Sequence, residues 1–448
     1  MKRRNFLKNG LIAGTALAAL PSWTTLPSLN SKIRVGVIGV GMRGRGLMGL
    51  LLDRPDVEVV AVSDVAQDSI DLTKKIFIER KLEEPTYFLG NEDKWKELVA
   101  MNNIDAIVIA TPWRFHAPMA MAAMESGKYA GVEVPAALTV DDCFKLVETS
   151  ERTGMPCMML ENVCYRRDIM AVLSMVRKGM FGELVHMEGG YQHDLRHVKF
   201  NDGKGPYDEG LEFGVTGYSE AKWRTGHALK RNGDFYPTHG IGPIAQMLNI
   251  NKGNKFLSIS SFASKSRGLD AYVEKVGGKE HPHTDLDWKQ GDVTTSVLTT
   301  SNGETITLQH DTNLPRPYSL GFRVQGTKGL WMDLNKSLHI EGLSPEHRWE
   351  DAKAYLDKND HPLWRNWEKN AAGAGHGGMD FFVLHGFIEA CKRKIQTPID
   401  VYDSAAWSAI VELSEQSVTQ GGAPIPFPDF TGGEWVYRKN TFATNGEF

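Results

Sequence analysis

The chain has 448 residues, a hydrophobic fraction of 41% and a net charge of −4 at pH 7. This length allows two domains that each bury their own core, and the composition is ordinary for a globular protein. The charge is close to neutral, and no basic tract is interleaved with aromatic residues, which argues against nucleic-acid binding. The 4 cysteines lack metal-binding or disulfide spacing, so we expect buried free thiols. The histidines of His281-Pro282-His283 lack a third ligand, so we expect no metal site.

The first residues carry the pattern of an export signal. The charged stretch Met1–Lys8 contains Arg3-Arg4, and an apolar run from Gly10 to Leu20 follows it. This run is too short to span a bilayer comfortably. The pattern resembles a twin-arginine signal, which would hand an already folded protein to the export machinery. An ordinary secretion signal and an uncleaved anchor are the alternatives. We expect residues 1–30 to be this segment, with cleavage between 19 and 30, and the protein to be periplasmic or secreted.

A glycine-rich turn follows the first predicted strand. Residues 33–38 form a short apolar, β-branched stretch, and the chain continues as Gly39-Val40-Gly41-Met42-Arg43-Gly44. Glycines at these spacings permit a tight turn, and the helix that follows presents free N–H groups to a pyrophosphate. A second strand over 57–62 ends in Ser63-Asp64, where a ribose-binding carboxylate belongs. These features together predict a dinucleotide site, whereas the alternative is a glycine turn without a ligand.

Asp64 also indicates which dinucleotide binds. A carboxylate repels the 2′-phosphate of NADP, so this residue favours NAD. The nearby Arg43 and Arg45 weaken the preference slightly, because cations attract that phosphate.

The two halves of the chain differ in pattern. From 33 to 161, apolar strands alternate with helices, which predicts an α/β, doubly wound parallel sheet of the Rossmann type over 31–161. One of these helices is predicted to open with good caps at Thr139-Val140-Asp141-Asp142 and to run to about Gly154. Later strands with hairpin-like connectors predict an α+β domain with a mostly antiparallel open sheet over 162–448. We expect its open face to cover the nicotinamide and its far face to allow a homodimer. The polar stretch from His347 to Gly378 is predicted to be loop.

Several tyrosines and histidines lie where strands or helices end. Tyr191 and His193 stand two apart at a predicted strand end, so they share a face and can form an acid/base pair. Tyr236 and His239 flank a predicted helix N-terminus, where the helix dipole favours a neutral imidazole able to act as a base. The stiff loop Pro315-Arg316-Pro317-Tyr318 is expected to project Tyr318 inward. An exposed strand end and a histidine that only caps or packs are the structural alternatives.

Other polar residues end strands of the first domain. Glu133 and Glu161 each end a strand, where they can reach the nicotinamide ribose or the substrate. Asn162 can hydrogen-bond the cofactor. Trp113 and His116 follow the strand that normally lines the nicotinamide half of such a site, although a core position is the simpler interpretation of the tryptophan.

Five strings of residues carry a resemblance to a known family. They read Gly131-Val132-Glu133-Val134, Glu161-Asn162-Val163-Cys164-Tyr165-Arg166-Arg167, Gly190-Tyr191-Gln192-His193-Asp194-Leu195-Arg196, Trp223-Arg224-Thr225 and Tyr236-Pro237-Thr238-His239-Gly240. They are similar to strings of glycoside hydrolase family 109, the NAD-dependent α-N-acetylgalactosaminidases. This family is a branch of the Gfo/Idh/MocA oxidoreductase superfamily, whose domain order resembles nearly everything after the signal.

One departure from the superfamily pattern concerns its chemistry. The superfamily usually carries Glu-Lys-Pro after its fifth strand, and the lysine is its catalytic acid/base. This chain has Glu133-Val134-Pro135 at that place. The missing lysine argues against an ordinary dehydrogenase.

The resemblance also implies which residues contact the ligands. With the glycines of the turn, it implies NAD contacts at Met42, Arg43, Asp64, Trp113, Arg114, Phe115, His116, Glu133, Val134, Asn162, Arg224 and Tyr236. It implies sugar contacts at Tyr191, Arg224, Tyr236, Pro237, Thr238, His239 and Tyr318, to which the strand-end position adds Glu161.

These residues are compatible with a redox-assisted elimination on a glycan or glycoside that ends in N-acetylgalactosamine. Hydride moves from the sugar C3 to NAD⁺ while His239, helped by Tyr236, takes the hydroxyl proton. Tyr191, as a phenolate stabilised by Arg224 or His193, removes the C2 proton, and His193 protonates the leaving group. Water then adds and the hydride returns. The alternatives are an exported sugar oxidoreductase with tightly bound NAD(P) and a non-catalytic sugar-binding module.

Overall fold

The structure, a computed structural model, describes residues 32–448. The expected export signal lies outside these residues, so the twin-arginine interpretation stays a prediction. Within the described part of the chain, no helix is both long and apolar enough to cross a membrane.

Six parallel strands form the sheet of the first half of the chain. They are β1 (Ile33–Ile38), β2 (Val57–Asp64), β3 (Thr86–Leu89), β4 (Ala106–Ile109), β5 (Tyr129–Val132) and β6 (Cys157–Met159), in the spatial order β3-β2-β1-β4-β5-β6. The connecting helices are α1 (Met42–Leu52), α2 (Gln67–Arg80), α3 (Trp95–Val99), α4 (His116–Glu125) and α5 (Val140–Thr153). The predicted doubly wound sheet is confirmed. Its strand order reverses at β1 and β4, where such sheets open a ligand crevice.

Local sequence signals fix the ends of α5. The Thr139 hydroxyl accepts a hydrogen bond from the Asp142 N–H at 3.1 Å, which caps the first turn. Gly154 ends the helix with a φ of 69°, a left-handed conformation that glycine adopts without a side-chain clash. Both signals are visible in the sequence, so the helix matches its prediction.

The second half contains a nine-stranded sheet. Its strands are β7 (Leu184–Gln192), β8 (Phe256–Ala263), β9 (Val293–Thr300), β10 (Thr305–Asp311), β11 (Arg323–Gly326), β12 (Gly329–Met332), β13 (Ser337–Ile340), β14 (Glu350–Asp351) and β15 (Ile425–Pro426), in the spatial order β14-β13-β12-β11-β7-β10-β9-β8-β15. Only the β7–β10 pair is parallel among these described pairings. The helices of this half are α6 (Arg167–Arg177), α7 (Arg196–Lys199), α8 (Arg224–Lys230), α9 (Thr238–Met247), α10 (Gly268–Gly277), α11 (Lys353–Lys358), α12 (Pro362–Ala371), α13 (Met379–Arg393) and α14 (Val401–Thr419). The predicted, mostly antiparallel sheet is confirmed.

The stretch from His347 to Gly378 is not a loop, and that prediction is wrong. It contains β14, α11 and α12. Pro362 starts α12 at its first position, and the His361 side chain accepts a hydrogen bond from the Leu363 N–H at 3.1 Å. Leu363 and Trp364 are buried while most of the other side chains of this helix face solvent. The polar residues therefore belong to the exposed side of an amphipathic helix, which composition alone does not separate from loop.

The last two long helices join the halves. The Met159 N–H of β6 donates to the Ser404 hydroxyl of α14 at 3.0 Å, and the Ala136 N–H donates to the Ser408 hydroxyl at 3.0 Å. In α13, Phe387 packs so closely on Gly131 of β5 that a Cβ at that glycine would lie 3.0 Å from the ring. The apolar core is consequently continuous across both halves. The four cysteines are free and buried within the structure, as expected.

Candidate active site

A cavity of about 680 Å³ opens at the carboxyl ends of the first sheet and faces the end of β7. Most of the predicted site residues line it: Gly39, Gly41, Met42, Arg43, Asp64, Trp113, Arg114, Phe115, His116, Glu133, Val134, Asn162, Tyr191, His193, Arg224, Tyr236 and His239. Gly44, Glu161, Pro237, Thr238 and Tyr318 lie next to it without lining it.

The glycine turn has the shape that a pyrophosphate requires. Gly39 has a φ of 83°, and a Cβ there would lie 2.6 Å from the Ala110 carbonyl oxygen. A Cβ on Gly44 would overlap the Gly39 carbonyl oxygen, so this glycine permits close packing of helix and turn. Gly41 instead borders open space, and no side chain caps the start of α1. The free N–H groups of α1 therefore face the cavity, where an anion can accept from them.

Asp64 lies at the end of β2 and supports the turn. Its carboxylate accepts from the Val40 N–H at 2.7 Å and from the Ala66 N–H at 2.9 Å. Arg45 donates to the Val40 carbonyl at 2.6 Å, and Arg43 points to Glu133 instead of Asp64. Neither arginine pairs with the carboxylate that is expected to bind the ribose.

Arg43 belongs to a charged cluster at one side of the cavity. Its Nε donates to Glu133 at 2.6 Å, and its two terminal nitrogens donate to Asp380 at 2.7 and 3.0 Å. The Asn162 side-chain N–H donates to Asp380 at 2.7 Å. Burial opposes the charge of Arg43, but Glu133 and Asp380 outweigh it and raise the pKa of this guanidinium. The buried Oδ1 of Asn162 has no partner among residues 32–448, so a donor on a bound ligand would satisfy it.

Tyr191 and His193 form the predicted pair. The Tyr191 hydroxyl and the His193 Nδ1 are 3.1 Å apart. Burial raises the pKa of the phenol more than the charge of Arg224 lowers it. Burial and Arg224 both lower the pKa of His193. The expected Tyr191 phenolate is therefore corrected to a neutral phenol that can donate to a neutral imidazole.

His239 is held by a carboxylate. Its Nδ1 lies 2.8 and 2.9 Å from the two side-chain oxygens of Glu161, and Glu161 also accepts from the Val163 N–H at 3.0 Å. A carboxylate on one ring nitrogen fixes the imidazole so that its other nitrogen is free to accept a proton. Because Glu161 is fully buried behind His239, its predicted contact with the sugar is replaced by this orienting role.

An aromatic wall encloses Arg224. Its guanidinium carbon lies 4.9 Å from the Trp113 ring centre and 5.4 Å from that of Tyr236, and its Nε is 2.6 Å from a Glu220 oxygen. The Tyr236 ring centre is 4.6 Å from that of Tyr191. Trp113 is thus a wall of the cavity as well as a packed side chain.

The remaining predicted residues occupy supporting positions. Pro237 and Thr238 start α9, and the Tyr318 ring lies 5.0 Å from that of His193 at the rim, half exposed. His116 places its two ring nitrogens 2.7 Å from the Pro135 and Thr111 carbonyl oxygens, so its role is to brace the loop.

The open sheet face does not cover the cavity, so that expectation is wrong. Of the strands β7–β15, only β7 contributes a lining residue, Tyr191 at its carboxyl end. The other lining residues of this half come from the segment between β7 and α8, from the starts of α8 and α9, and from Asn162 and His376. The side of the cavity that the second half contributes therefore consists of a strand end, connecting segments and helix starts, and not of the sheet surface.

Three polar residues of the site are not predicted by the sequence. Asp380 pairs with Arg43, His376 pairs with Asp380, and Glu220 pairs with Arg224. Of the three, His376 and Glu220 line the cavity. His376 lies in the region that was wrongly predicted as loop, and Asp380 lies just past its end. The spacing of four residues between them is the only signal, and it also fits an ordinary helix start. Among residues 32–448, no three His, Cys, Asp or Glu side chains cluster as metal ligands do.

Comparison with known proteins agrees with this architecture. Residues 33–161 match the oxidoreductase family with an NAD-binding Rossmann fold, and residues 165–437 match the glycosyl hydrolase 109 C-terminal domain. A glycosyl hydrolase family 109 protein of Stenotrophomonas maltophilia is 52% identical over 100% of this chain and 99% of its own length. An alpha-N-acetylgalactosaminidase of Tannerella forsythia is 46% identical over 98% of this chain and 99% of its own length. A levoglucosan dehydrogenase solved with NADH and levoglucosan shares the fold, with a TM-score of 0.64, 17% identity and coverage of 89% of this chain and 100% of its own.

The site and these matches define the class of protein: an enzyme of the glycoside hydrolase type built on an NAD-binding Rossmann domain. The chain belongs to glycosyl hydrolase family 109.

Proposed function

We propose that the protein removes terminal α-linked N-acetylgalactosamine while holding NAD through every turnover. One observation carries the proposal: a dinucleotide cradle, a Tyr–His pair and a His–Glu pair share one cavity. The Tannerella forsythia relative, and one of Shewanella oneidensis that is 40% identical over 91% of this chain, bear the name alpha-N-acetylgalactosaminidase.

The carboxylates of the site argue against the common glycosidase plan. That plan needs two free carboxyl groups on either side of the glycosidic bond. Here Glu133 pairs with Arg43, Glu161 holds His239, and Glu220 pairs with Arg224. Since each of these glutamates already has a cationic or imidazole partner, the acid/base work falls to the histidines and tyrosines.

NAD fits the cradle described above. The open side of Gly41, the uncapped start of α1, the carboxylate of Asp64 and the unpartnered Oδ1 of Asn162 are the groups that would hold it. When bound, NAD⁺ supplies a hydride acceptor for the sugar C3 and returns that hydride at the end. The rest of the reaction consists of proton transfers by this chain.

His239 is the base for the first proton transfer. With Nδ1 held by Glu161, its free nitrogen faces the cavity beside Tyr236, whose ring centre is 4.9 Å away. It takes the C3 hydroxyl proton as C3 becomes a ketone. The ketone in turn acidifies the neighbouring C2–H.

Tyr191 and His193 perform the elimination. As the Tyr191 oxygen takes the C2 proton, its own proton passes to the His193 Nδ1. The C1–O bond breaks, and the protonated His193 gives a proton to the leaving oxygen. Arg224, close to Tyr191 and Tyr236, stabilises the enolate charge that develops between these steps. The proton that Tyr191 took then exchanges with solvent. Water adds at C1 and gives a proton to His193, while Tyr191 protonates C2 and recovers a proton from His193. When the C3 hydride returns, His239 gives its proton back to the C3 oxygen, and the hydrolysis is complete.

An assay with p-nitrophenyl glycosides tests the proposal. The α-N-acetylgalactosaminide should release nitrophenol, whereas the β-anomer and the α-galactoside should be poorer substrates. Catalysis without added NAD is expected because the cofactor stays bound. No release from the α-N-acetylgalactosaminide, together with net reduction of added NAD⁺, would favour the sugar oxidoreductase instead.

Gly41→Ala tests the cradle separately from the chemistry. An added Cβ meets no protein atom within 4 Å but enters the space expected for the pyrophosphate. The variant should fold normally and lose about tenfold or more in NAD affinity, which corresponds to about 1.4 kcal/mol or more, because the methyl group occupies space that the pyrophosphate needs. Isothermal titration of cofactor-stripped protein measures this. Gly46→Ala, which also has open space but lies on the exposed side of α1, is the matched control and should bind NAD normally.

Export of the folded enzyme with NAD already bound agrees with a reaction that regenerates its cofactor. NAD is made in the cytoplasm, so an exported enzyme benefits from a cofactor that is bound before export and regenerated in each turnover. We therefore propose twin-arginine export. Arg3→Lys together with Arg4→Lys should leave active enzyme in the cytoplasmic fraction, whereas export that survives this change would refute the route.

A further inference from the structure

Asp380 connects three side chains at the cofactor end of the cavity. Its carboxylate is nearly fully buried and accepts from both terminal nitrogens of Arg43, from the Asn162 Nδ2 and from the His376 Nδ1, at 2.7 to 3.0 Å. These hydrogen bonds outweigh the effect of burial and hold the pKa of Asp380 far below its usual value. The carboxylate is therefore always charged at neutral pH.

The bond to Asn162 fixes which way its amide faces. Because Asp380 accepts from Nδ2, the amide nitrogen is turned toward α13, and the Oδ1 is the atom left without a partner. With a neutral or shorter residue at 380, the amide could rotate and lose this preference. Asp380 thereby keeps one acceptor oriented for a donor on the ligand.

The bond to Arg43 acts on the other side of the same site. Arg43 lies in the first turn of α1, whose N–H groups face the expected pyrophosphate, and it also binds Glu133 at 2.6 Å. Asp380 comes from α13 in the second half of the chain. One carboxylate thus ties the nucleotide-binding helix and, through Arg43 and Glu133, the end of β5 to α13 and Asn162 of the second half.

We propose that Asp380 is a positioning residue that retains NAD, acting through Asn162 and Arg43 as a clasp between the two halves of the chain. The inference rests on the proposed function, in which the cofactor must remain bound between turnovers. It concerns cofactor release and leaves the proton-transfer steps to other residues. The clasp is the set Asp380, Arg43, Asn162, Glu133 and His376.

The experiment compares Asp380→Asn with a control on the same helix. Glu389 also bridges the halves, binding Arg54 at 3.3 Å and Lys392 at 3.1 Å, but it does not line the cavity. Holoenzyme of the wild type, Asp380→Asn and Glu389→Gln is purified, denatured and assayed for NAD per chain. Exchange of the bound cofactor against isotopically labelled NAD⁺ gives its release rate, and thermal melting of the stripped proteins reports folding.

We expect Asp380→Asn to release NAD about tenfold faster or more, the effect of losing a charged hydrogen-bond acceptor. Glu389→Gln should match the wild type. Saturating NAD⁺ should return most of the activity of Asp380→Asn. The double variant Asp380→Asn with Asn162→Ala should release NAD faster than the wild type by a factor smaller than the product of the two single-variant factors, because the two residues share one interaction.

Unchanged release from Asp380→Asn, or equal acceleration by Glu389→Gln, would overturn the inference. If Asp380→Asn does not fold, Asp380→Glu decides, since it keeps the charge but displaces the carboxylate by one methylene and should still accelerate release. Wild-type protein without NAD would instead refute the proposed function itself.

Discussion

Tyr191→Phe is expected to lower glycosidase turnover by about 10²–10⁴-fold, the usual contribution of a positioned acid/base group. The phenol oxygen lies 3.1 Å from the His193 Nδ1, and it transfers the C2 proton in the proposed elimination. Phenylalanine keeps the ring that packs 4.6 Å from Tyr236 and 5.4 Å from His239, so the fold and NAD content should not change. Nitrophenol release and NAD stoichiometry measure the two effects.

Tyr272→Phe is a matched control for this loss. Tyr272 is also buried, and its hydroxyl lies 3.2 Å from the His197 Nδ1 outside the cavity. This variant should retain wild-type turnover. Equal losses in both variants would show that tyrosine–histidine bonds matter here for stability alone, and a Tyr191→Phe enzyme with full activity would remove Tyr191 from the mechanism.

His239→Ala should produce a loss of similar size, about 10²–10⁴-fold, at a different step. His239 takes the C3 hydroxyl proton, so the variant fails before the ketone forms. A p-nitrophenyl glycoside that already carries the C3 ketone bypasses this step. His239→Ala should release nitrophenol from it well above the uncatalysed rate, whereas Tyr191→Phe should not.

The control for His239 is another histidine–glutamate pair. His186 lies 3.2 Å from Glu188 on the second sheet, away from the cavity, and His186→Ala should keep its activity. The turnover of Glu161→Gln should fall between those of His239→Ala and His186→Ala. The glutamine amide can still hydrogen-bond the His239 ring, but it lacks the negative charge that stabilises the protonated imidazole. Failure of the ketone to rescue His239→Ala would place this histidine in the elimination instead of the oxidation.

The sequence predicted the parts whose signals are local. The glycine turn, the strand over 33–38, the caps of α5 and the Tyr191–His193 spacing each depend on neighbours within a few residues. Their physical reasons, a tight turn, a capped N–H group and alternation along a strand, act over the same range. These elements accordingly appear where the sequence placed them.

Contacts between distant segments could not be predicted in the same way. Asp380 lies 337 positions after Arg43, and Glu161 lies 78 positions before His239. No periodicity records which buried carboxylate meets which base, so Glu161 was expected to contact sugar and Asp380 was missed. The α12 helix was missed for another reason: its polar outer surface masks a narrow buried stripe.

Hydrolysis in deuterium oxide distinguishes transient oxidation at C3 from direct displacement at C1. A substrate that carries deuterium at C3 and hydrogen at C2 is converted, and the released sugar is examined by mass spectrometry and NMR. If the C3 deuterium moves to NAD⁺ as deuteride and then returns, the product keeps deuterium at C3 and gains deuterium from solvent at C2. A product that retains hydrogen at C2 throughout would show that the bond breaks without oxidation and elimination, and it would refute the proposed reaction.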